Sequence, residues 1–303
     1  MDGEVGRRGR RSGIHLASIA AATRHGQYRL RMLEFAERPW WPGDPQQFRE
    51  ALRYWIATNA TPDITVRQWW HRLANAGLTA PTWPRVHGGL GATSRVQETV
   101  ETELAAAGTL APPVDHDGFR AVAPVLRQLL PPDQLARWLE PLLRGEHTWD
   151  LLVHEPGRAP DDIECRAVHD WKYTSVTGAK TQEAATTHAL VVCRSDPAAT
   201  GTSGLSCMML DLTVDGVVRG GGSVRFAGLE VLNDRTLGQP GEGWSVVRLV
   251  RPYLDRSLAG RIRRGLVHVP AGHQIGALDL TMAEAHRTFG TTPVSPPVER
   301  RSR

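Results

Sequence analysis

Glycine-rich segments are the first features of this sequence whose composition and spacing could support chemistry. Gly89-Leu90-Gly91 begins like a dinucleotide-binding loop, but Ser94 stands where that loop needs its third glycine, and no strand precedes it. Gly220-Gly221-Gly222 lacks the Gly-Lys-Ser/Thr that follows in a phosphate loop. We therefore expect the first segment to form a turn between helices and the second to form a hinge or a bulge.

Cysteines and histidines do not have the spacing of a metal site. The three cysteines, Cys165, Cys193 and Cys207, are too few and too scattered for a disulfide framework or a zinc site. The twelve histidines form no H-E-x-x-H or similar ligand pair. The sequence therefore predicts no metal. Because all three cysteines lie in strand-like segments, we expect buried thiols and a reducing, cytoplasmic location.

The composition is that of a globular protein of two or three domains, since 303 residues are 41% hydrophobic and 22% charged. The net charge of +4 comes largely from arginines near the two ends, in 7–11 and 299–303. We interpret these as solvated tails and predict no nucleic-acid partner. The apolar run 14–20 is too short to cross a membrane, so we predict no membrane span and a disordered basic extension over residues 1–31.

Residues 32–148 show the periodicity of helices. Phe48, Leu52 and Trp55 recur at spacings of four and three, which places them on one face. A second helix is predicted over 65–73 with a glycine cap at Gly77, and a third begins at Thr93 or Ser94. A fourth begins near 132–134 and turns Leu135, Leu139 and Leu142 toward the core.

Residues 149–236 show a different pattern. Short apolar runs at 189–194 and 205–211 are bounded by proline, glycine and serine, which is typical of strands. The sequence therefore predicts an α+β fold, with an N-terminal helical domain over 32–148 and a central β-domain over 149–236.

Two segments of the β-domain resemble the signature of acyl-CoA dehydrogenases. Glu155-Pro156-Gly157-Arg158-Ala159-Pro160-Asp161 is similar to the family pattern E-P-x-A/G-G-S-D, and 176–181 is similar to V-x-G-x-K. The segments 77–91, 134–146 and 237–244 resemble three further family motifs in the same order. The resemblance implies an N-terminal α-helical domain, a β-barrel-like central domain and a C-terminal helical domain.

The resemblance also implies a reaction. Family enzymes desaturate the α,β bond of an acyl-CoA thioester: a carboxylate removes the α-proton while the β-hydride passes to FAD. It implies FAD as cofactor, an acyl-CoA substrate, and a homo- or hetero-oligomer with a related full-length subunit.

Several positions that hold the flavin in the family carry other residue types here. By resemblance His154 replaces the serine or threonine that contacts the flavin, Gln182 replaces the tryptophan that lies against the ring, and Ala184 follows in the same motif. Pro160 removes a backbone donor from the loop, whereas Asp161 is retained as a substrate-binding residue. These departures predict that cofactor binding, and hence catalysis by this chain alone, is impaired.

Further site residues are predicted after Gly243. Asp255 falls at the position of a catalytic glutamate in one branch of the family, and Arg256 at that of a substrate-binding arginine. From the residues alone, a surface ion pair on a helix is the favoured interpretation of this pair. His286, Arg287 and Phe289 resemble an R-x-x-F-G motif whose arginine reaches the FAD of a neighbouring subunit.

The proline-rich segment 291–303 is predicted to be a disordered tail, so that 237–290 would be the remnant of a longer helical domain. Three functions remain open at this point. The chain is an impaired dehydrogenase, a non-catalytic subunit that completes an assembly with an intact relative, or a non-functional remnant.

Overall fold

The computed structural model describes residues 41–114, 116–159, 162–182, 186–254, 266–270 and 272–290. Within these residues, α-helices precede and follow an eight-stranded sheet, which confirms the α+β class. The helices before the sheet are α1 Pro45–Asn59, α2 Val66–Asn75, α3 Ser94–Ala106, α4 Ala123–Leu129 and α5 Pro132–Leu143. Those after it are α6 Gly243–Leu254, α7 Gln274–Ala277 and α8 Met282–Phe289.

Short polar caps define where the first helices begin. Asp44 accepts hydrogen bonds from the amides of Gln46 and Gln47, and Pro45 occupies the first turn of α1, where its missing N–H is not needed. Helix α2 begins with a capping box between Thr65 and Gln68. The capping side chains accept hydrogen bonds from backbone N–H groups that would otherwise lack partners at the helix N-termini.

Replacing Thr65 with alanine is expected to lower the free energy of unfolding by about 1 kcal/mol, because the hydroxyl that accepts from the Gln68 amide is removed. Thr93 is a matched control: it caps α3 by position but its side chain makes no capping hydrogen bond. Urea unfolding should therefore show a smaller loss for Thr93→Ala than for Thr65→Ala. Equal losses would contradict the assignment of the cap.

The helical core contains the residues that periodicity placed there. Phe48 and Leu52 are buried together with Ile56, and Trp55 packs against them. Trp69 and Trp70 of α2 are fully buried and donate their indole N–H groups to the carbonyls of Leu110 and Ala111. The same cluster includes Met282 and Ala285 of α8. The last described helix therefore packs on the first ones.

The strands are β1 Trp149–Leu152, β2 Arg166–His169, β3 Tyr173–Thr181, β4 His188–Arg194, β5 Leu205–Asp211, β6 Val217–Gly220, β7 Ser223–Leu232 and β8 Thr236–Leu237. Their order is β6-β7-β3-β2-β4-β5-β8, with β1 paired to β4. The predicted runs 189–194 and 205–211 are confirmed as β4 and β5. Gly221 and Gly222 have positive φ and form the turn between β6 and β7, so this glycine segment is a hairpin turn rather than a hinge or bulge.

Two strands share one side of β4. Strand β1 lies parallel to its first half, from Trp149 opposite His188 to Leu152 opposite Val191. Strand β2 lies parallel to the end of β4, with Arg166 opposite Arg194. The segment that joins β1 to β2 therefore leaves the sheet and returns to it beside β4. This segment contains the Glu-Pro-Gly motif.

The two faces of β4 and β5 pack against different neighbours. Leu190 and Met209 face helices α4 to α6, whereas Ala189, Val191 and Met208 face the other side of the sheet. Because both faces are covered, these strands are continuously apolar instead of alternating. None of the helices in the described ranges is long and apolar enough to cross a membrane.

Candidate functional site

The ends of β1 and β3 come together where the sequence predicted a cofactor site. The Thr181 amide donates to the carbonyl of His154 at 2.8 Å. His154 lies two residues after the end of β1 and is exposed, and Gln182 directly follows β3. Two positions that lie 28 residues apart in the chain are therefore adjacent in the fold.

A buried ion pair fixes this junction. Lys180 of β3 has no exposed surface, and its Nζ donates to Glu155 Oε1 at 2.8 Å and to the Val153 carbonyl at 3.0 Å. Glu155 also accepts hydrogen bonds from the amides of Cys165 and Glu164. One lysine thus ties the end of β3 to the end of β1, and one carboxylate ties the end of β1 to the start of β2.

The pKa of Glu155 follows from these contacts. Burial acts to raise it, but the hydrogen bonds from Lys180 and from the Cys165 amide outweigh burial, so that the pKa is lowered. The carboxylate is ionised at neutral pH and the pair is charged. Buried charges are stable only when they are paired and hydrogen-bonded, and this pair meets both conditions.

The loop after Glu155 is held by Arg158. Its guanidinium contacts Asp162 and Glu164, each at 2.6 Å, and Glu155 at 4.0 Å. Three carboxylates of one loop therefore surround one cation from the same loop. Because Arg158 and its outer partners are partly exposed to solvent, this cluster orients the loop more than it stabilises the fold.

Gln182 is placed differently from a ring-contacting side chain. It is buried, its amide donates to Thr186 Oγ1 at 3.2 Å, and its backbone N–H donates to the Gly222 carbonyl. The Thr186 hydroxyl in turn donates to the His188 carbonyl. In this arrangement Gln182 supports the start of β4, and at this junction His154 faces solvent.

The remaining predicted residues divide into two groups. Asp161, Ala184, Asp255 and Arg256 lie outside the described residues. His286, Arg287 and Phe289 lie on α8, where Phe289 packs against the helical core and Arg287 is exposed. Partial burial lowers the pKa of His286. The contacts of α8 are with the helical core, so they do not bring these side chains to the β1–β3 junction.

Sequence reasoning assigned no role to Lys180, Glu155 or Arg158, although all three lie in the quoted motifs. One signal was available. Only two of the 36 basic residues are lysines, Lys172 and Lys180. In a chain that otherwise uses arginine, a lysine inside a strand indicates a site that needs a compact ammonium group rather than a planar guanidinium.

A separate groove of about 680 Å³ lies beside α5, and among the described residues its lining includes none of the predicted site residues. His147 and His188 stack there at 3.9 Å between ring centroids. Burial, and next the neighbouring His147, lowers the pKa of His188 to about 3, and burial also lowers that of His147. Both rings are therefore neutral at neutral pH. The described part of the chain contains no cluster of three or more His, Cys, Asp or Glu side chains able to hold a metal ion.

The chain was compared with protein-family models and curated proteins. The model of the acyl-CoA dehydrogenase N-terminal domain matches residues 44–146. Acyl-CoA dehydrogenase FadE34 of Mycobacterium tuberculosis is 31% identical over 150 residues, which are 48% of this chain and 21% of that protein. Acyl-CoA dehydrogenase IpdE1 of Mycolicibacterium smegmatis is 28% identical over 244 residues, covering 66% of this chain and 62% of that protein. The chain thus spans less than two thirds of the length of these relatives.

Solved structures share the fold. The Tcur3481-Tcur3483 steroid ACAD superposes with a TM-score of 0.51 at 21% identity, covering 71% of this chain and 62% of that chain. The ChsE4-ChsE5 complex from Mycobacterium tuberculosis gives a TM-score of 0.50 at 21% identity, covering 71% and 61%. At this level of identity the likeness concerns the fold.

Proposed function

Since this chain belongs to the acyl-CoA dehydrogenase family, we propose that it binds FAD and takes part in the α,β-desaturation of an acyl-CoA thioester. The observation that carries the proposal is the junction of β1 and β3. There the hydrogen bond from Thr181 to His154 joins the two segments that the resemblance assigns to the flavin. The curated relatives are dehydrogenases, so no comparison favours a non-catalytic subunit or a remnant.

The residues present at the junction can hold the cofactor, although the departures at His154, Pro160 and Gln182 predict weaker binding than in the family. His154 and the loop residues 156–159 are exposed, and the imidazole both donates and accepts hydrogen bonds. Glu155 and Lys180 are hydrogen-bonded to each other, and Lys180 also donates to the Val153 carbonyl. This buried pair therefore leaves no unpaired charge at the β1–β3 junction. We propose that His154 and the loop hold the flavin, which supplies the hydride acceptor. Gln182 contributes by fixing the neighbouring turn.

The proton-transfer step is assigned to residues outside the described part of the chain. We keep Asp255 as the base, Arg256 and Asp161 as substrate-binding residues, and Ala184 as a cofactor neighbour. Aspartate is one methylene shorter than the family glutamate, and a displacement of about 1 Å is enough to slow proton abstraction strongly. A low turnover is therefore the expected consequence of this residue.

We further propose that the site is completed in an oligomer located in the cytoplasm. Arg287 is exposed on α8, as expected for a residue that reaches a neighbouring subunit. Two of the proteins with the same fold are named as pairs of different chains. Sedimentation equilibrium of the flavin-loaded protein measures the number of subunits directly.

The visible absorbance spectrum of the protein, purified from cells supplied with riboflavin, tests cofactor binding. We expect a flavin spectrum, and bleaching by acyl-CoA that is lost in Asp255→Asn. A folded but colourless protein would overturn the proposal.

Two matched variants locate the flavin. His154→Asp places a negative charge beside a ring that becomes anionic on reduction, so we expect flavin affinity to fall about tenfold or more. His169→Asp makes the same change at another exposed histidine, at the end of β2, and should leave the affinity unchanged. Equal flavin affinities of the two variants would mean that the flavin binds away from His154.

A further inference from the structure

Two thiols face each other beneath the junction. Cys165 precedes β2, Cys193 lies in β4, and their Sγ atoms are 3.6 Å apart. Both side chains are buried. The residues that follow them, Arg166 and Arg194, are register partners in neighbouring parallel strands. Neighbouring strands lie about 4.8 Å apart, within the Cα separations at which disulfides form.

The backbone of β3 restricts the position of the Cys165 sulfur. A Cβ added to Gly178 would lie 2.7 Å from Cys165 Cα, 2.9 Å from its Cβ and 3.0 Å from its Sγ. The sulfur is therefore confined between β3 and Cys193. A disulfide needs an S–S distance of about 2.05 Å, so the two sulfurs have to approach by roughly 1.5 Å.

We propose that Cys165 and Cys193 form a reversible disulfide, and that this modification regulates the cofactor site at the β1–β3 junction. The regulatory part rests on the proposed function. The connection is direct, because the Cys165 amide donates to Glu155 Oε1 at 2.8 Å, and the same oxygen accepts from Lys180. Movement of Cys165 toward Cys193 changes the geometry of the carboxylate that orders the loop after His154.

The two thiols have different roles in the oxidation. The hydrogen bond between the two thiols, opposed by burial and assisted by the positive charge of Lys180, lowers the pKa of Cys165. The hydrogen bond between the thiols and complete burial raise the pKa of Cys193 well above its ordinary value. Cys165 is thus the nucleophile and Cys193 the resolving thiol.

The reaction with a peroxide is balanced as follows. The Cys165 thiolate attacks one oxygen of hydrogen peroxide, the O–O bond breaks, and the departing hydroxide is protonated to water. Cys193 then attacks the sulfur of the resulting sulfenic acid, and its proton leaves with the displaced hydroxyl group as a second water. Two thiols and one peroxide give one disulfide and two waters, and a small dithiol reverses the change by exchange.

The sequence makes the product easy to identify. Trypsin cleaves after Arg158, Arg166, Lys180, Arg194 and Arg219, so the three cysteines fall on three peptides, 159–166, 181–194 and 195–219. After native treatment with peroxide and alkylation in denaturant, we expect the first two peptides to be linked and Cys207 to be alkylated. Cys207 is a buried control, and burial raises its pKa to about 12.

The variants separate the disulfide from its proposed effect. Cys165→Ala and Cys193→Ala should each prevent the link, and Cys207→Ala should preserve it. Oxidised wild type should bind FAD about tenfold more weakly than reduced protein, which corresponds to the loss of one hydrogen bond to a charged group, and a dithiol should restore the affinity.

The outcomes are distinguishable. No link in folded wild type, or a link that involves Cys207, would overturn the disulfide. A link without a change in affinity would overturn the regulation. Because mass analysis does not depend on flavin, a colourless protein would refute the proposed function and leave the disulfide testable.

Discussion

Replacing Lys180 with methionine is expected to lower the free energy of unfolding by about 3–5 kcal/mol at neutral pH, because it leaves the Glu155 carboxylate buried without its cation. Methionine is similar in length and apolar, so the effect reports the charge rather than a cavity. Urea unfolding followed by circular dichroism measures it. A loss below about 1 kcal/mol would show that the ion pair does not hold the junction.

The matched control is the other lysine of the chain. Lys172 is exposed, and its ammonium lies 5.1 Å from the centroid of the Tyr173 ring. Lys172→Met makes the same chemical change at the surface, where the expected effect is within about 0.5 kcal/mol. The double variant Lys180→Met with Glu155→Gln removes both buried charges. It should be more stable than Lys180→Met alone, since no uncompensated charge remains.

The pH dependence of the Lys180→Met variant gives a second readout. In the wild type the pKa of Glu155 is lowered, so its contribution to stability is complete above the unfolded pKa, about 4.3, and is lost as pH falls through the folded value. Without Lys180, burial favours the protonated acid. The difference in the free energy of unfolding between wild type and variant should therefore become smaller as pH falls toward about 5. A constant difference would indicate a packing defect instead.

Replacing Gly178 with alanine is the other change for which we expect a large effect, a loss of about 3 kcal/mol in the free energy of unfolding. The added Cβ would meet the Cys165 Cα at 2.7 Å, and φ at Gly178 is +139°, a conformation that side chains rarely adopt. The obstructing atom belongs to the backbone of the residue that holds Glu155, so it cannot rotate away. Urea unfolding measures the loss.

Two further variants test the cause of the stability loss expected for Gly178→Ala. Gly220→Ala adds a methyl group where no atom lies within 4 Å, and its φ is ordinary, so its stability should stay within about 1 kcal/mol of wild type. Adding Cys165→Ala to Gly178→Ala removes the sulfur but not the Cα, so it should not restore stability. Full recovery in that double variant would show that the conflict lies with the side chain.

Much of the secondary structure was predictable because its causes are local. Helices α1 and α5 follow from apolar residues at helical spacing and from proline in the first turn, and the structure buries Phe48, Leu52, Leu135, Leu139 and Leu142 as that spacing requires. The apolar runs of β4 and β5 are strands covered on both faces. Each of these inferences uses residues within one turn or one strand.

The candidate site was predictable only in part. The motifs indicated that His154 and Gln182 belong to one site, and the junction of β1 and β3 brings their positions together. The orientation of Gln182 toward Thr186 was not predictable, because it depends on how the turn after β3 packs. The contacts of α8 were not predictable either, since α8 packs on α2, a helix that lies more than 200 residues earlier in the chain.

The sequence by itself determined the fold class, the resemblance to acyl-CoA dehydrogenases and the positions of most helices and strands, because periodicity, caps and motif spacing are properties of neighbouring residues. Only the tertiary structure decided that Lys180 is fully buried against Glu155, and that Cys165 faces Cys193. These partners are 25 and 28 residues apart. Their contact is set by the register of β1 and β2 against β4 and of β3 against β2, and register depends on interactions between strands that no local pattern encodes.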